Sequence, residues 1–171
     1  ELRSFFGLLF PAGAETTTRA ISGGLLSFMQ APAQWARLQN DPALMRTAVE
    51  EIVRWTTPSC YKRRTATRDL SFAGKRIREG DKVTFWEMSA NRDERMFERP
   101  FEFDIARNPN KHLGFGAGVH FCLGSSLARL ELRVVFEELL ASRLGFEAAG
   151  TPQWMPNNRL VGLKSLPVRV V

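Results

Sequence analysis

The chain has 171 residues, with 24 Lys and Arg against 18 Asp and Glu for a net charge of +6, 44% hydrophobic side chains, 13 Gly and 9 Pro. That is the balance of a globular protein large enough to bury one real core, which excludes disordered and collagen-like chains. The apolar stretches at Phe5–Ala14 and Ala20–Met29 are broken by Pro11, Ser22, Gly23, Gly24 and Ser27, so no membrane span is expected. In chain order, Leu2, Phe5, Phe6, Leu9, Ile21, Leu25, Phe28 and Met29 recur at helical spacing and predict a helix over about 1–30, closed by Pro32. Pro11 and the three threonines from Thr16 to Thr18 predict a break and a loosened interior. A shorter helix is expected at 33–39. Asp41 before Pro42 then reads as an N-cap with proline at the first helical position, opening a helix through Arg54 that Thr57 and Pro58 end. Residues Cys60 to Val83 predict short strands with turns at Ala73-Gly74 and Glu79-Gly80, followed by a brief helix near Val83–Asn91. From Asn91 to Ala117, with Pro100, Pro109 and little periodicity, a long irregular loop is expected, of the kind that surrounds a functional site. A helix over about 124–144 carries Leu127, Leu130, Leu132, Val134, Val135, Phe136, Leu139 and Leu140 around most of its circumference, as a buried core helix would. Alternation at Leu166–Val171 predicts a terminal strand pair.

The strongest chemical signal is the run from Phe115 to Gly124, FGAGVHFCLG, which delivers one cysteine to the start of a helix. A thiolate there gains amide N–H groups and the positive end of the helix dipole, and the glycines let backbone approach a flat ligand. These are the requirements of a haem iron bound through Cys. A half-buried, inert structural Cys122 is the plain alternative. A zinc site from Cys60, His112, His120 and Cys122 is another, weakened by the lack of any C-x-x-C pair. With only Cys60 and Cys122 present, a reducing, cytoplasmic setting is expected. Glu51 and Arg54 lie three apart on one helix face and can pair, in isolation no more than a surface ion pair. Glu15 and the threonines sit between apolar runs, where they are costly unless solvated or used.

The run Phe115–Gly124 resembles the haem-binding loop of the cytochrome P450 family, F-G-x-G-x-H-x-C-x-G, at every position, and the similarity continues in family order along the chain. The resemblance implies a mainly α fold with small β-sheets, the C-terminal part of the P450 fold. Residues 1–171 are then a single partial domain that begins at Glu1 in mid-helix, its N-terminal portion lying outside this sequence. It implies haem b with Cys122 as the iron ligand, Phe115 packed near the sulfur, and His120 and Arg64 at the propionates, Arg63 being a rival. Gly13, Gly116, Gly124 and Ala128 are implied as further haem contacts. Glu51 and Arg54 become the buried pair that locks the cysteine loop. Their third partner is expected to be Arg107, then Arg99, since Glu102 stands where many members have Arg. The A-G-x-[ED]-T pattern at Ala12–Thr16 implies catalytic roles for Thr16, which hydrogen-bonds the oxygen being activated, and Glu15, which feeds protons inward. Phe10, Ala14, Ser59, Cys60, Leu160 and Val161 would line the substrate pocket.

The activity implied is a haem-thiolate monooxygenase acting with O₂ on a hydrophobic substrate. The segments Phe103–Ile105 and Arg107–Asn110 with His112 resemble members that take steroids or lipids. A peroxide-driven peroxygenase and a haem-binding or sensing module without turnover are the alternatives; Glu15 and Thr16 argue against both. Lys111, Arg129 and Arg133 flank the loop and suit an acidic electron donor of the ferredoxin and ferredoxin reductase type. The basic residues are otherwise dispersed and accompany no nucleic-acid motif, so no nucleic-acid partner is expected. Expressed alone, the chain is expected to aggregate, to bind haem weakly and to hydroxylate nothing.

Overall fold

A computed structural model describes residues 1–171. The chain folds into five helices and four two-stranded antiparallel sheets. Helix α1 spans Leu2–Gln30, α2 Pro32–Asn40, α3 Met45–Thr56, α4 Glu87–Ala90 and α5 Ser125–Ala141. The core forms where the C-terminal half of α1 meets α2, α3 and α5. Helix α3 places Met45, Ala48, Val49, Ile52 and Val53 on one stripe, all buried, as the 3.6-residue period requires. Phe28 is the hub, with edge-on contacts to Trp35, Phe103 and Phe136 at centroid distances of 5.0, 5.4 and 5.5 Å. Burial of each such ring stabilises the fold by about 1.5–3 kcal/mol. Gly24 lets the helices close up, since a methyl there would lie 3.0 Å from both Ile52 Cγ2 and Phe136 Cζ.

Asp41 accepts a hydrogen bond from the Ala43 amide at 3.2 Å and starts a 3-10 turn, Pro42–Leu44, that leads into α3. The helix stops at Thr57, which is left-handed at φ 37°, before Pro58. Strand β1, Tyr61–Thr65, pairs with β4, Lys82–Trp86, and β2, Leu70–Phe72, pairs with β3, Lys75–Ile77. The β2–β3 turn is Ala73-Gly74 with positive φ at both residues, the hairpin geometry that favours glycine.

Four expectations are corrected. Helix α1 runs unbroken through Pro11, because one missing N–H and a ring clash are outweighed by continuous helix on either side. The brief helix near Val83–Asn91 is confined to α4; Val83, Phe85 and Trp86 belong to β4, where β-branched and aromatic side chains fit a paired strand. Helix α5 is not surrounded: Ser125, Leu132 and Phe136 are buried, but Leu127, Leu130 and Val134 are exposed. The terminal strand β8, Val168–Val170, does not pair within Leu166–Val171. It pairs with β5, Phe146–Ala148, while β6, Gln153–Trp154, pairs with β7, Leu163–Ser165. No helix is long and apolar enough to cross a membrane.

Candidate functional site

The cysteine loop is built by backbone geometry. Gly116 and Gly118 take positive φ values of 73° and 65°, and the Cys122 amide donates to the Phe115 carbonyl at 2.9 Å, folding the loop back on itself. A 3-10 turn, Gly118–His120, precedes the cysteine, and the Ser125 amide at the head of α5 donates to the Cys122 carbonyl. Cys122 is free and exposed, as are His120 and Gly124. Ala128 sits one turn into α5, half-buried. Around the thiol stand Val119, Phe121, Leu123 and Leu127, all exposed, and Val119 is 98% exposed.

Glu51 and Arg54 are both fully buried. Arg54 donates through Nε and Nη2 to the two Glu51 oxygens at 2.7 and 2.8 Å, a bidentate pair. Arg54 Nη1 also donates to the carbonyls of Asn91 and Pro100, and Nη2 to that of Glu102. Arg107 Nε lies 3.1 Å from Glu51 Oε2, and Asn110 Nδ2 and the Asp104 amide also donate to the carboxylate. Arg107 is thus the second guanidinium on Glu51, whereas Arg99 pairs with Glu102 at the surface and offers only its carbonyl to Arg107. Asn91 completes the tether: its amide group donates to Thr57 Oγ1 and its oxygen accepts from the Leu113 amide. The irregular stretch from Asn91 to Leu113 is therefore fixed to α3.

A second carboxylate network, partly buried, was not apparent from the sequence. Glu50 accepts from Arg129 Nε and Nη2 at 2.6 and 2.9 Å and lies 3.0 Å from His112 Nε2. The Gly114 amide donates to His112 Nδ1, so the imidazole carries its hydrogen on Nε2, toward Glu50. Arg129 in turn lies over the Phe115 ring, 4.3 Å from its centroid. This joins α3 and α5 to the first residue of the cysteine loop. Burial opposes ionisation of Glu50, but the hydrogen bonds from His112 and Arg129 and the charge of Arg129 outweigh it and hold the carboxyl at about 2, down from 4.5. The adjacent pair Glu50-Glu51 before Arg54 was the available signal.

On α1, Thr16 donates to the Ala12 carbonyl at 2.8 Å and Thr18 to that of Ala14. Glu15 is half exposed and meets Arg19 at 3.2 Å. Phe10, Gly13 and Ala14 lie on the exposed half of the helix, and a methyl at Gly13 or Gly124 would touch nothing within 4 Å. Ser59 forms a β-bridge with Leu160, and the Val161 amide donates to the Pro58 carbonyl, bringing two expected pocket segments together. Cys60, next to the bridge, is buried, and burial raises its thiol pKa. The zinc reading fails on geometry. No group of three or more His, Cys, Asp and Glu is placed to hold a metal, and His112 is committed to Glu50. Arg63 and Arg64 are both exposed; Arg64 donates only to the Arg63 carbonyl and stacks on Phe85.

The family model described as Cytochrome P450 matches residues 1–170. Cytochrome P450 126 of Mycobacterium tuberculosis is 56% identical over 171 residues, covering 99% of this chain and 41% of that protein. Methyl-branched lipid omega-hydroxylase of the same organism is 49% identical over 170 residues, covering 98% and 40%. The solved structure of cytochrome P450-153 from Novosphingobium aromaticivorans superposes with a TM-score of 0.94 at 38% identity, covering 96% of this chain and 42% of that one. The chain belongs to the cytochrome P450 family. It spans about two fifths of the length of the curated relatives it matches.

Haem b is that family's cofactor, and the residues present fit it. An exposed thiol stands among exposed apolar side chains, with open space beside Gly13 and Gly124. His120, Arg63 and Arg64 are exposed and without a carboxylate partner, as the anionic edge of such a ring requires. Of the two thiols, Cys122 is the exposed one and Cys60 the buried one.

Proposed function

We propose that the chain is the haem-thiolate part of a monooxygenase that uses O₂ and two electrons to place one oxygen atom in a C–H bond of a hydrophobic substrate. Bound haem supplies the redox chemistry, and the second oxygen atom leaves as water after taking up two protons. The observation that carries the reading is the exposed Cys122 just before α5, in a loop whose first residue, Phe115, packs under the Arg129–Glu50 pair and whose approach is tethered by the buried Glu51–Arg54 pair.

Thr16 has its hydroxyl hydrogen on the Ala12 carbonyl, so its oxygen faces outward as an acceptor and can turn to donate at the cost of one modest hydrogen bond. Glu15 is half exposed and paired with Arg19, which lets it take protons from solvent and pass them along α1. Phe10 and Ala14 supply the apolar wall on α1, and Ser59, Leu160 and Val161 the wall across the β-bridge. A lipid or steroid substrate suits these apolar surfaces. The printed name of one relative, a methyl-branched lipid omega-hydroxylase, points the same way. The donor we propose is a ferredoxin supplied by its reductase, docking by its acidic face where Arg46, Arg129 and Arg133 line one cleft beside α5. A cytoplasmic setting suits both free thiols.

The test is turnover of the haem-loaded protein with reduced ferredoxin and ¹⁸O₂ across a panel of lipids and steroids. One labelled oxygen in the product, in proportion to reductant consumed, is expected. Equal turnover with peroxide and no reductant would overturn the reading, as would haem binding with no turnover on any of the panel.

A further inference from the structure

Away from the Cys122 loop, a cleft of about 260 Å³ lies between the C-terminal half of α1, the end of α3 and strand β7. Trp55, Met88 and Trp154 give it apolar walls, Val161 is shared with the proposed substrate-pocket wall, Arg19 and Arg92 are its charged groups, and no Asp or Glu lines it. Arg19 is 8% exposed. It reaches the cleft because residue 162 is glycine: a methyl there would lie 2.5 Å from Arg19 Cγ and 2.8 Å from Cδ. Its Nη1 donates to the Leu160 carbonyl at 3.3 Å and its Nη2 to Glu15 at 3.2 Å, but its Nε is buried with no partner. Arg92 has no carboxylate partner. It donates to the carbonyls of Trp55 and Met88 at 2.7 and 3.5 Å, and its guanidinium lies 5.0 Å from the Trp55 ring centroid. Burial and the nearby charge of Arg54 make the charged form of Arg92 less favourable.

Two guanidinium groups in one cleft, Arg92 lying over Trp55 and Arg19 with an unsatisfied buried N–H, are costly to keep unless something completes them. A carboxylate matches the guanidinium fork and a flat ring matches indole walls. The volume falls below the roughly 300–1,000 Å³ of sites for drug-sized ligands, which limits the occupant to one or two rings. We propose that this cleft binds a small aromatic carboxylate, its carboxylate taken by Arg19 and Arg92 and its ring laid against Trp55 and Trp154. The same Arg19 guanidinium holds Glu15, so an occupant competes with that side chain and changes its freedom to carry protons. That consequence rests on the role given to Glu15 above; the binding itself does not.

Calorimetric titration of the haem-loaded protein with 2-naphthoate should show one saturable site while the haem Soret band stays in place. The neutral 2-naphthalenemethanol should bind about tenfold more weakly or worse, because it leaves both guanidinium groups unpaired. Arg19→Gln and Trp154→Leu should each weaken naphthoate binding by about tenfold or more. Trp154 is more than half exposed, so its replacement keeps the test informative should Arg19→Gln fail to fold. Equal affinity for acid and alcohol, wild-type affinity in Trp154→Leu, or no saturable binding would each overturn the proposal. So would binding that shifts the Soret band and is displaced by a haem-ligating azole, since that would place the anion in the substrate pocket.

Discussion

Replacing Glu51 with Gln tests whether the buried network holds the approach to the cysteine loop. The carboxylate accepts from Arg54 at 2.7 and 2.8 Å, from Arg107 and Asn110 at 3.1 Å each and from the Asp104 amide at 3.0 Å, with no exposure. Gln keeps the shape but turns one accepting oxygen into an NH₂ group facing guanidinium N–H groups. It also removes the negative charge lying between Arg54 and Arg107. Breaking a buried ion pair from one side costs about 3–5 kcal/mol, a large part of the roughly 5–15 kcal/mol that ordinary domains possess. The loss should be largest where Arg54 and Arg107 bind carbonyls, from Asn91 to Glu102. The assay is denaturant unfolding of the haem-loaded protein followed by circular dichroism and by the Soret band, with hydrogen exchange over residues 91–113. Arg99→Ala is the control: its pair with Glu102 is more than half exposed on both sides and should change stability by about 0.5 kcal/mol or less. If Glu51→Gln does not accumulate as folded protein, Glu51→Asp, which keeps the charge, should restore part of the yield. A loss below about 1 kcal/mol, or one equal to the Arg99→Ala control, would refute the reasoning.

Glu50 predicts an acid limb. Its folded pKa of about 2 lies below its ordinary value, so its contribution is complete above about pH 4.5 and is lost as pH falls toward 2. Discounted for its quarter exposure, Glu50→Gln should cost about 1–3 kcal/mol at neutral pH and flatten that limb; superimposable acid titrations of the two proteins would count against the network. Thr16→Ala and Glu15→Gln should leave substrate binding largely intact but impair productive use of O₂, with more peroxide released by the first and slower turnover in the second. Wild-type coupling and rate in both would make this stretch of α1 purely structural. The 171 residues expressed alone should bind hydrophobic dye and aggregate, because Leu8, Phe10, Val119 and Leu123 are each at least 70% exposed; a monodisperse sample with a cooperative melt would contradict this.

Legibility in the sequence followed the reach of each interaction. The Asp41 cap and the stop of α3 at Thr57 are set by residues within one turn of each other and were readable, but Pro42 opens a 3-10 turn and α3 itself starts only at Met45. The cysteine loop was readable because its glycines and its cysteine are contiguous. The Glu51–Arg54 pair was readable at i,i+3, and Arg107 followed from the family resemblance. The Glu50–His112–Arg129 contact was not, since its members are separated by 62 and 79 positions and share no local pattern. The pairing of β5 with β8 was missed for the same reason, because strand partners are chosen by tertiary packing. The apolar circumference of α5 promised burial, but periodicity reports what a helix can bury, not what lies opposite it.

The central claim is that Cys122 supplies the thiolate to haem iron, and the absorption spectrum of the reduced, CO-bound protein tests it most directly. The protein should show the band that gives the family its name, Cys60→Ser should keep it, and Cys122→His should abolish it even where haem is retained. The same band in Cys122→His, or its loss in Cys60→Ser alone, would contradict the assignment.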